Sequence, residues 1–93
     1  MGQYFIEYSK RAAKDLKSLS TSGSSAIKKK IENLLEELEN HPRKGIGSPE
    51  RLKYYNGEIY SRTISKKDRL VYEILESEKV IIVVQFLGHY DDK

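Results

Sequence analysis

Apolar and polar side chains alternate from Gln3 to Tyr8, with Tyr4, Ile6 and Tyr8 set against Gln3 and Glu7. A period of two predicts a short first strand. Ser9 follows where a helix N-cap belongs, and Ala12, Ala13, Leu16 and Leu19 then recur at roughly helical spacing. The stretch Ser18 to Ser25 is rich in Ser, Thr and Gly and reads as a turn. The clearest pattern comes next. Ile27, Ile31, Leu34, Leu35 and Leu38 fall at i, i+4, i+7, i+8 and i+11, one apolar stripe on a second helix whose other faces carry Lys28, Lys29, Lys30, Glu32, Glu36, Glu37 and Glu39. Asn40 and Pro42 end it.

Residues His41 to Pro49 include two prolines and two glycines and read as a loop. Within it, Lys44-Gly45-Ile46-Gly47-Ser48 has a superficial likeness to a phosphate-binding loop but lacks the GxxxxGK[ST] spacing. A short strand is predicted over Leu52 to Tyr54, and Asn56-Gly57 is a strong hairpin signal. Strands follow at Glu58–Ser65, Arg69–Leu75 and Lys79–Leu87, separated by the turns Lys66-Lys67-Asp68 and Glu76-Ser77-Glu78. Turns this short predict an antiparallel meander. The run Val80-Ile81-Ile82-Val83-Val84 has no alternation, as expected of a strand buried on both faces or placed mid-sheet. One strand, two helices, then three or four strands give an α+β fold, with two N-terminal helices packed on one face of a small antiparallel sheet.

Composition narrows the function. The 93 residues suit one domain spanning 1–93. With 38% hydrophobic and 33% charged residues the chain is polar yet has enough Ile, Leu, Val and Tyr for a core. No run of about 18 apolar residues predicts a membrane span. There is no cysteine, which removes disulfides, thiol chemistry and Cys-based zinc sites. The two histidines lack ligand spacing, so neither a metal nor another cofactor is expected. The opening Gly2-Gln3-Tyr4-Phe5-Ile6 does not read as a signal peptide, and a cytoplasmic location is expected. A net charge of +3 leans toward an anionic partner.

Four features stand out as candidate chemistry. These are Glu50 within Pro49-Glu50-Arg51-Leu52-Lys53, Arg69 at the head of an apolar strand, the pair His89-Tyr90 after the most apolar strand, and the cations Lys53 and Arg62. In a meander, Arg69 begins one strand and His89 follows the end of its antiparallel successor, so both are expected near the same edge of the sheet. A carboxylate that takes a proton, an imidazole that gives one and a guanidinium that holds phosphoryl oxygens suit acid–base chemistry on a phosphodiester. Each group also has a plain structural alternative: a solvated loop carboxylate, a strand-end ion pair, a polar cap. Lys28-Lys29-Lys30 reads better as a solvated helix face than as an RNA patch.

Taken together, Pro49-Glu50-Arg51-Leu52-Lys53, Gly57, Tyr60-Ser61-Arg62, Arg69-Leu70-Val71-Tyr72-Glu73 and His89-Tyr90 resemble the Txe/YoeB family, toxins of bacterial toxin–antitoxin modules within the RelE superfamily. The resemblance spans nearly the whole chain. It implies a ribosome-dependent endoribonuclease that cuts mRNA in the A site without a metal, the ribose 2′-hydroxyl attacking the adjacent phosphorus. By the same resemblance Glu50 is the general base, His89 the general acid and Arg69 the stabiliser of the transition state. Tyr90 positions RNA, Lys53 contacts phosphate and Arg62 is held as a backbone contact. The implied partners are a YefM-like antitoxin, the ribosome and mRNA, operator DNA through the antitoxin complex, and in many members a second copy of the toxin. Two positions depart from the family pattern. Thr63 stands where many members have a second arginine, and Asp68 where His or Asn often precedes the arginine. An acid at 68 either pairs with Arg69 and blunts its field or ends the turn. The competing functions are a gyrase-inhibiting toxin of the same superfamily and a non-catalytic RNA- or protein-binding module.

Overall fold

The computed structural model describes residues 3–47, 49–52 and 56–88. Its elements are β1 (Phe5–Tyr8), α1 (Lys10–Ser22), α2 (Ser25–Leu38), β2 (Glu50–Arg51), β3 (Glu58–Thr63), β4 (Arg69–Leu75) and β5 (Val80–Gln85). They build a five-stranded sheet in the order β1-β5-β4-β3-β2. The three C-terminal pairings are antiparallel, as the short turns predict. β1 instead joins parallel to β5, Phe5 opposite Val80 and Tyr8 opposite Val83. The two helices carry the chain away from β1 and back over the sheet, so the first strand runs alongside the last rather than against it.

Both helices begin where a serine caps them. The Ser9 hydroxyl accepts from the Ala12 amide at 3.0 Å and that of Ser24 from the Ile27 amide at 3.2 Å. The stretch expected to turn from Ser18 is helical through Ser22, and only Gly23 and Ser24 separate the helices. Ser20, Thr21 and Ser22 bond their hydroxyls back to the carbonyls of Lys17 and Ser18, which lets polar residues continue the helix rather than break it. The predicted α2 stripe does pack inward. Ile31, Leu34 and Leu38 are buried, and Ile27 and Leu35 pack at the margin.

The core lies between the helices and one face of the sheet. Ala12, Leu19, Ile31, Leu34 and Leu38 meet Leu70, Tyr72, Ile74, Ile81, Val83 and Phe86. β5 is interior to the sheet, which accounts for its unbroken apolar run. Its residues still alternate, Ile81 and Val83 buried and Val80, Ile82 and Val84 partly so. A register irregularity at Val71/Tyr72 pairs Tyr72 with Val83 but Val71 with Gln85, leaving Val84 as the extra residue. Such a bulge reverses the phase of the strand end. Gln85 thereby shares the face of Val71, away from the helices, while Phe86 returns to the core.

A surface network closes one end of the sheet. Arg43 binds Glu58 and Glu76, Tyr4 donates to Glu76 at 2.7 Å, and Lys79 pairs with Glu76. Arg43 foremost holds the Glu58 carboxyl below its ordinary value. Lys79, then Tyr4 and Arg43, hold Glu76 down at about 2. Lowered carboxylate pKa values stabilise the fold above the ordinary glutamate value and stop doing so as the folded groups protonate. The melting temperature is therefore expected to fall as pH drops from about 4.5 toward 2, and Arg43→Ala should flatten part of that fall. Thermal melts by circular dichroism at fixed ionic strength check this. An acid limb of the same depth in the variant rules out Arg43 as a contributor to it.

Candidate active site

Side chains of paired residues in neighbouring strands share a face. Glu50 pairs with Ser61, Ser61 with Val71, and Val71 with Gln85. These four form one row across the face opposite the helices. Val71 is fully buried but stands outside the helix-facing core cluster, as that placement requires. In the next row Thr63 pairs with Arg69. Glu50 and Arg69 thus lie on one face, separated by two strand spacings and two residues of rise, about 12 Å between Cα atoms. Ser61 and Thr63 are small and make a floor between two long, oppositely charged side chains that can reach inward over it. Glu50 is exposed and Arg69 half-buried. Among the described residues Arg69 forms no ion pair.

Asp68 does not neutralise it. One Asp68 oxygen accepts from the Gly88 amide at 2.8 Å, and the other takes the Ser65 hydroxyl at 3.3 Å. Of the two roles open to this acid, ending the turn is the one observed. The Arg69 amide in turn donates to the Gly88 carbonyl at 3.1 Å. The chain therefore passes beside Arg69 one residue before His89. Gly88, the last residue described before His89, thus lies at the edge where Arg69 begins its strand. His89, Tyr90 and Lys53 themselves lie outside the described residues.

Arg62 is corrected. It was expected as a contact to the RNA backbone, but it points into the helix side of the sheet and is fully buried. Tyr60 and Ile64 share that face, as strand alternation predicts. Each of its N–H donors is occupied. Nε donates to the Tyr72 hydroxyl at 3.0 Å. Nη1 donates to Glu37 at 2.5 Å and to the Ile46 carbonyl at 3.1 Å. Nη2 donates to the carbonyls of His41 and Lys44 at 2.7 and 3.0 Å. Tyr72 passes the network on, donating to the Pro42 carbonyl at 2.5 Å, and burial foremost raises its pKa. A guanidinium with its donors satisfied inside the protein has nothing left for phosphate.

Its role is to shape the loop that leads to Glu50. Glu37 also accepts from the Ile46 amide at 2.7 Å, and the Thr63 amide donates to the Gly47 carbonyl at 2.7 Å. Gly47 has φ +82°, and a Cβ there would come within 3.0 Å of Leu34 and 3.1 Å of Arg62. The glycines that gave this segment its phosphate-loop look instead allow it to wrap a buried arginine. The pairing of Glu50 with Ser61 follows three residues beyond Gly47.

For Asp68 the sequence suggests the end of the turn but not the bond to Gly88, and for Gln85 it suggests no role. Gln85 is a lone amide in the apolar run that ends at Leu87, and burial of such a group in a strand marks a hydrogen-bonding task.

A profile of the family described as the YoeB-like toxin of bacterial type II toxin-antitoxin system matches residues 8–90. Toxin YoeB of Escherichia coli K12 is 34% identical over 64 residues, 69% of this chain and 74% of that protein. Toxin YoeB of Synechocystis sp. PCC 6803 is 39% identical over 62 residues, 67% and 70% of the two chains. The YoeB/ParE toxin from Agrobacterium tumefaciens superposes with a TM-score of 0.84 at 26% identity, covering 92% of this chain and 99% of its own. The toxin fold in the YoeB-YefM complex from Staphylococcus aureus gives 0.77 at 33% identity, covering 94% and 98%. An archaeal RelE-RelB complex from Pyrococcus horikoshii OT3 shares the fold with a TM-score of 0.72 at 20% identity, over 92% and 94%. With the two-helix, five-strand architecture and a family match over almost its whole length, this chain belongs to the YoeB-like toxins of bacterial type II toxin–antitoxin systems, on the RelE fold.

Proposed function

We propose that this toxin is an endoribonuclease that cuts ribosome-bound mRNA by acid–base chemistry and is held inactive by a YefM-like antitoxin. The observation that carries the reading is the shared face of Glu50 and Arg69, with the chain leading to His89 bonded to the Arg69 backbone. Glu50 takes the proton from a ribose 2′-hydroxyl, whose oxygen attacks the adjacent phosphorus. Arg69 pairs with the non-bridging oxygens as charge builds on them. His89 gives a proton to the departing 5′-oxygen, leaving a cyclic phosphate on one fragment and a 5′-hydroxyl on the other. Lys53 contacts phosphate and Tyr90 helps position the RNA. The S. aureus relative supplies the precedent for a YefM partner. A net charge of +3 favours a polyanionic substrate.

The test is to express the chain without an antitoxin and map new 5′-hydroxyl ends on cellular mRNA. Cuts in phase with codons are expected, and they should disappear when translation initiation is blocked. Ribosome binding should weaken steeply as salt rises, because phosphate contacts release counterions. Growth arrest with intact mRNA and damaged DNA would point to gyrase inhibition, and arrest with neither to a binding module.

A further inference from the structure

The structure assigns Asp68 and Gln85 as positioning residues that hold the chain immediately before His89, an inference that rests on the nuclease reading above. The segment from Phe86 to Gly88 has left the regular sheet, yet nearly every backbone polar group in it is bound by a side chain or by β4. One oxygen of Asp15, on α1, accepts from the Phe86 and Leu87 amides at 3.0 and 3.2 Å. The Leu87 carbonyl accepts from Arg11 at 2.9 Å and from Gln85 Nε2 at 3.2 Å. The Gly88 carbonyl accepts from the same Nε2 at 3.2 Å and from the Arg69 amide at 3.1 Å. Its amide donates to Asp68 at 2.8 Å. Gly88 turns the chain at φ +87°, a conformation that other residues resist.

Ordinary loop ends are left to solvent. Here three carboxamide or carboxylate side chains from α1, the 64–68 turn and β5 converge on three consecutive residues. Gln85 is fully buried, and among the described residues its Oε1 has no hydrogen-bond partner. Neither carbonyl depends on Gln85 alone, since Arg11 also donates to Leu87 and the Arg69 amide to Gly88. What Gln85 and Asp68 add is a fixed exit point for the chain beside Arg69, one residue before the proposed acid. Proton transfer tolerates little misplacement: about 1 Å is enough to lose on the order of 100-fold in rate.

The test compares full-length wild type, Asp68→Ala, Asp68→Asn and Gln85→Met. Single-turnover cleavage of ribosome-bound mRNA, thermal melts and amide hydrogen exchange at Gly88 are measured for each. Asp68→Ala should lower kcat about 10- to 100-fold with KM changed less than about twofold. Its Gly88 amide should exchange about tenfold faster. Asp68→Asn keeps an acceptor for that amide and should recover activity to within about threefold of wild type. Gln85→Met should lower kcat about tenfold while moving the melting temperature by no more than a few degrees. Equal impairment in Asp68→Asn and Asp68→Ala, or losses of kcat that track the melting temperature, would overturn the assignment. If wild type itself does not cut, the nuclease reading fails separately. The exchange data then decide the anchor: faster Gly88 exchange in the alanine variant alone upholds it, and unchanged exchange rejects it.

Discussion

Arg62→Ala is expected to lower the melting temperature by about 10–20 °C. The guanidinium is fully buried and gives its donors to Tyr72, Glu37 and the carbonyls of His41, Lys44 and Ile46. Its removal strands those acceptors and leaves Glu37 without its cation. Glu37 keeps 24% of its side-chain surface, so water recovers part of the loss. A cost of about 3 kcal/mol, the low end for a broken buried pair, is the reasonable figure. Arg62→Lys should recover little, because one ammonium cannot span the set of acceptors that a planar fork meets. Chemical denaturation with an unchanged m-value would locate the effect in stability itself. A variant that melts like wild type but binds RNA poorly would return Arg62 to the role of a phosphate contact.

The second large effect is on chemistry. Glu50→Gln keeps shape and hydrogen-bonding reach but cannot take a proton, and cleavage should fall by about 10²–10⁴. Arg69→Ala should cost a comparable factor, with Arg69→Lys intermediate, since a point charge replaces a bidentate clamp. Both are read by single-turnover cleavage on programmed ribosomes and by relief of growth arrest. Neither should move the melting temperature by more than a few degrees. Glu50 is exposed, and Arg69 makes no ion pair among the described residues. Full toxicity in both variants would discard this face of the sheet as the site.

Much of the scaffold was legible because it depends on local period. The α2 stripe from Ile27 to Leu38, the Ser9 cap and the strand Arg69–Leu75 follow from side-chain spacing alone, and the structure places them there. The Ser18–Ser22 segment was misread because composition resembles a turn, while its hydroxyls had helical carbonyls within reach. Glu50 and Arg69 were found as chemical types at suggestive positions. That they share a face depends on the chain of pairings through Ser61, Val71 and Thr63, which no local pattern encodes.

Arg62 and Asp68 mark the boundary most clearly. Strand alternation alone put Arg62 on the opposite face from Thr63, but a charged residue reads as solvent-facing unless its acceptors are known. Apart from Tyr72, those acceptors come from α2 and the 41–47 loop, 16 to 25 positions away. Asp68 looked like a threat to its neighbour Arg69. It bonds instead to Gly88, twenty positions on, because the β4–β5 hairpin returns that amide to its side. Sequence by itself determined the inventory: an α+β chain, a helix stripe, a set of strands and a short roster of reactive side chains, all properties of period and residue type. Tertiary structure alone decided the parallel entry of β1, the burial of one arginine rather than another, and which acid fastens the chain before His89. Those outcomes rest on contacts between segments distant in sequence, where the energy of a polar group is set by whatever partner the fold delivers to it.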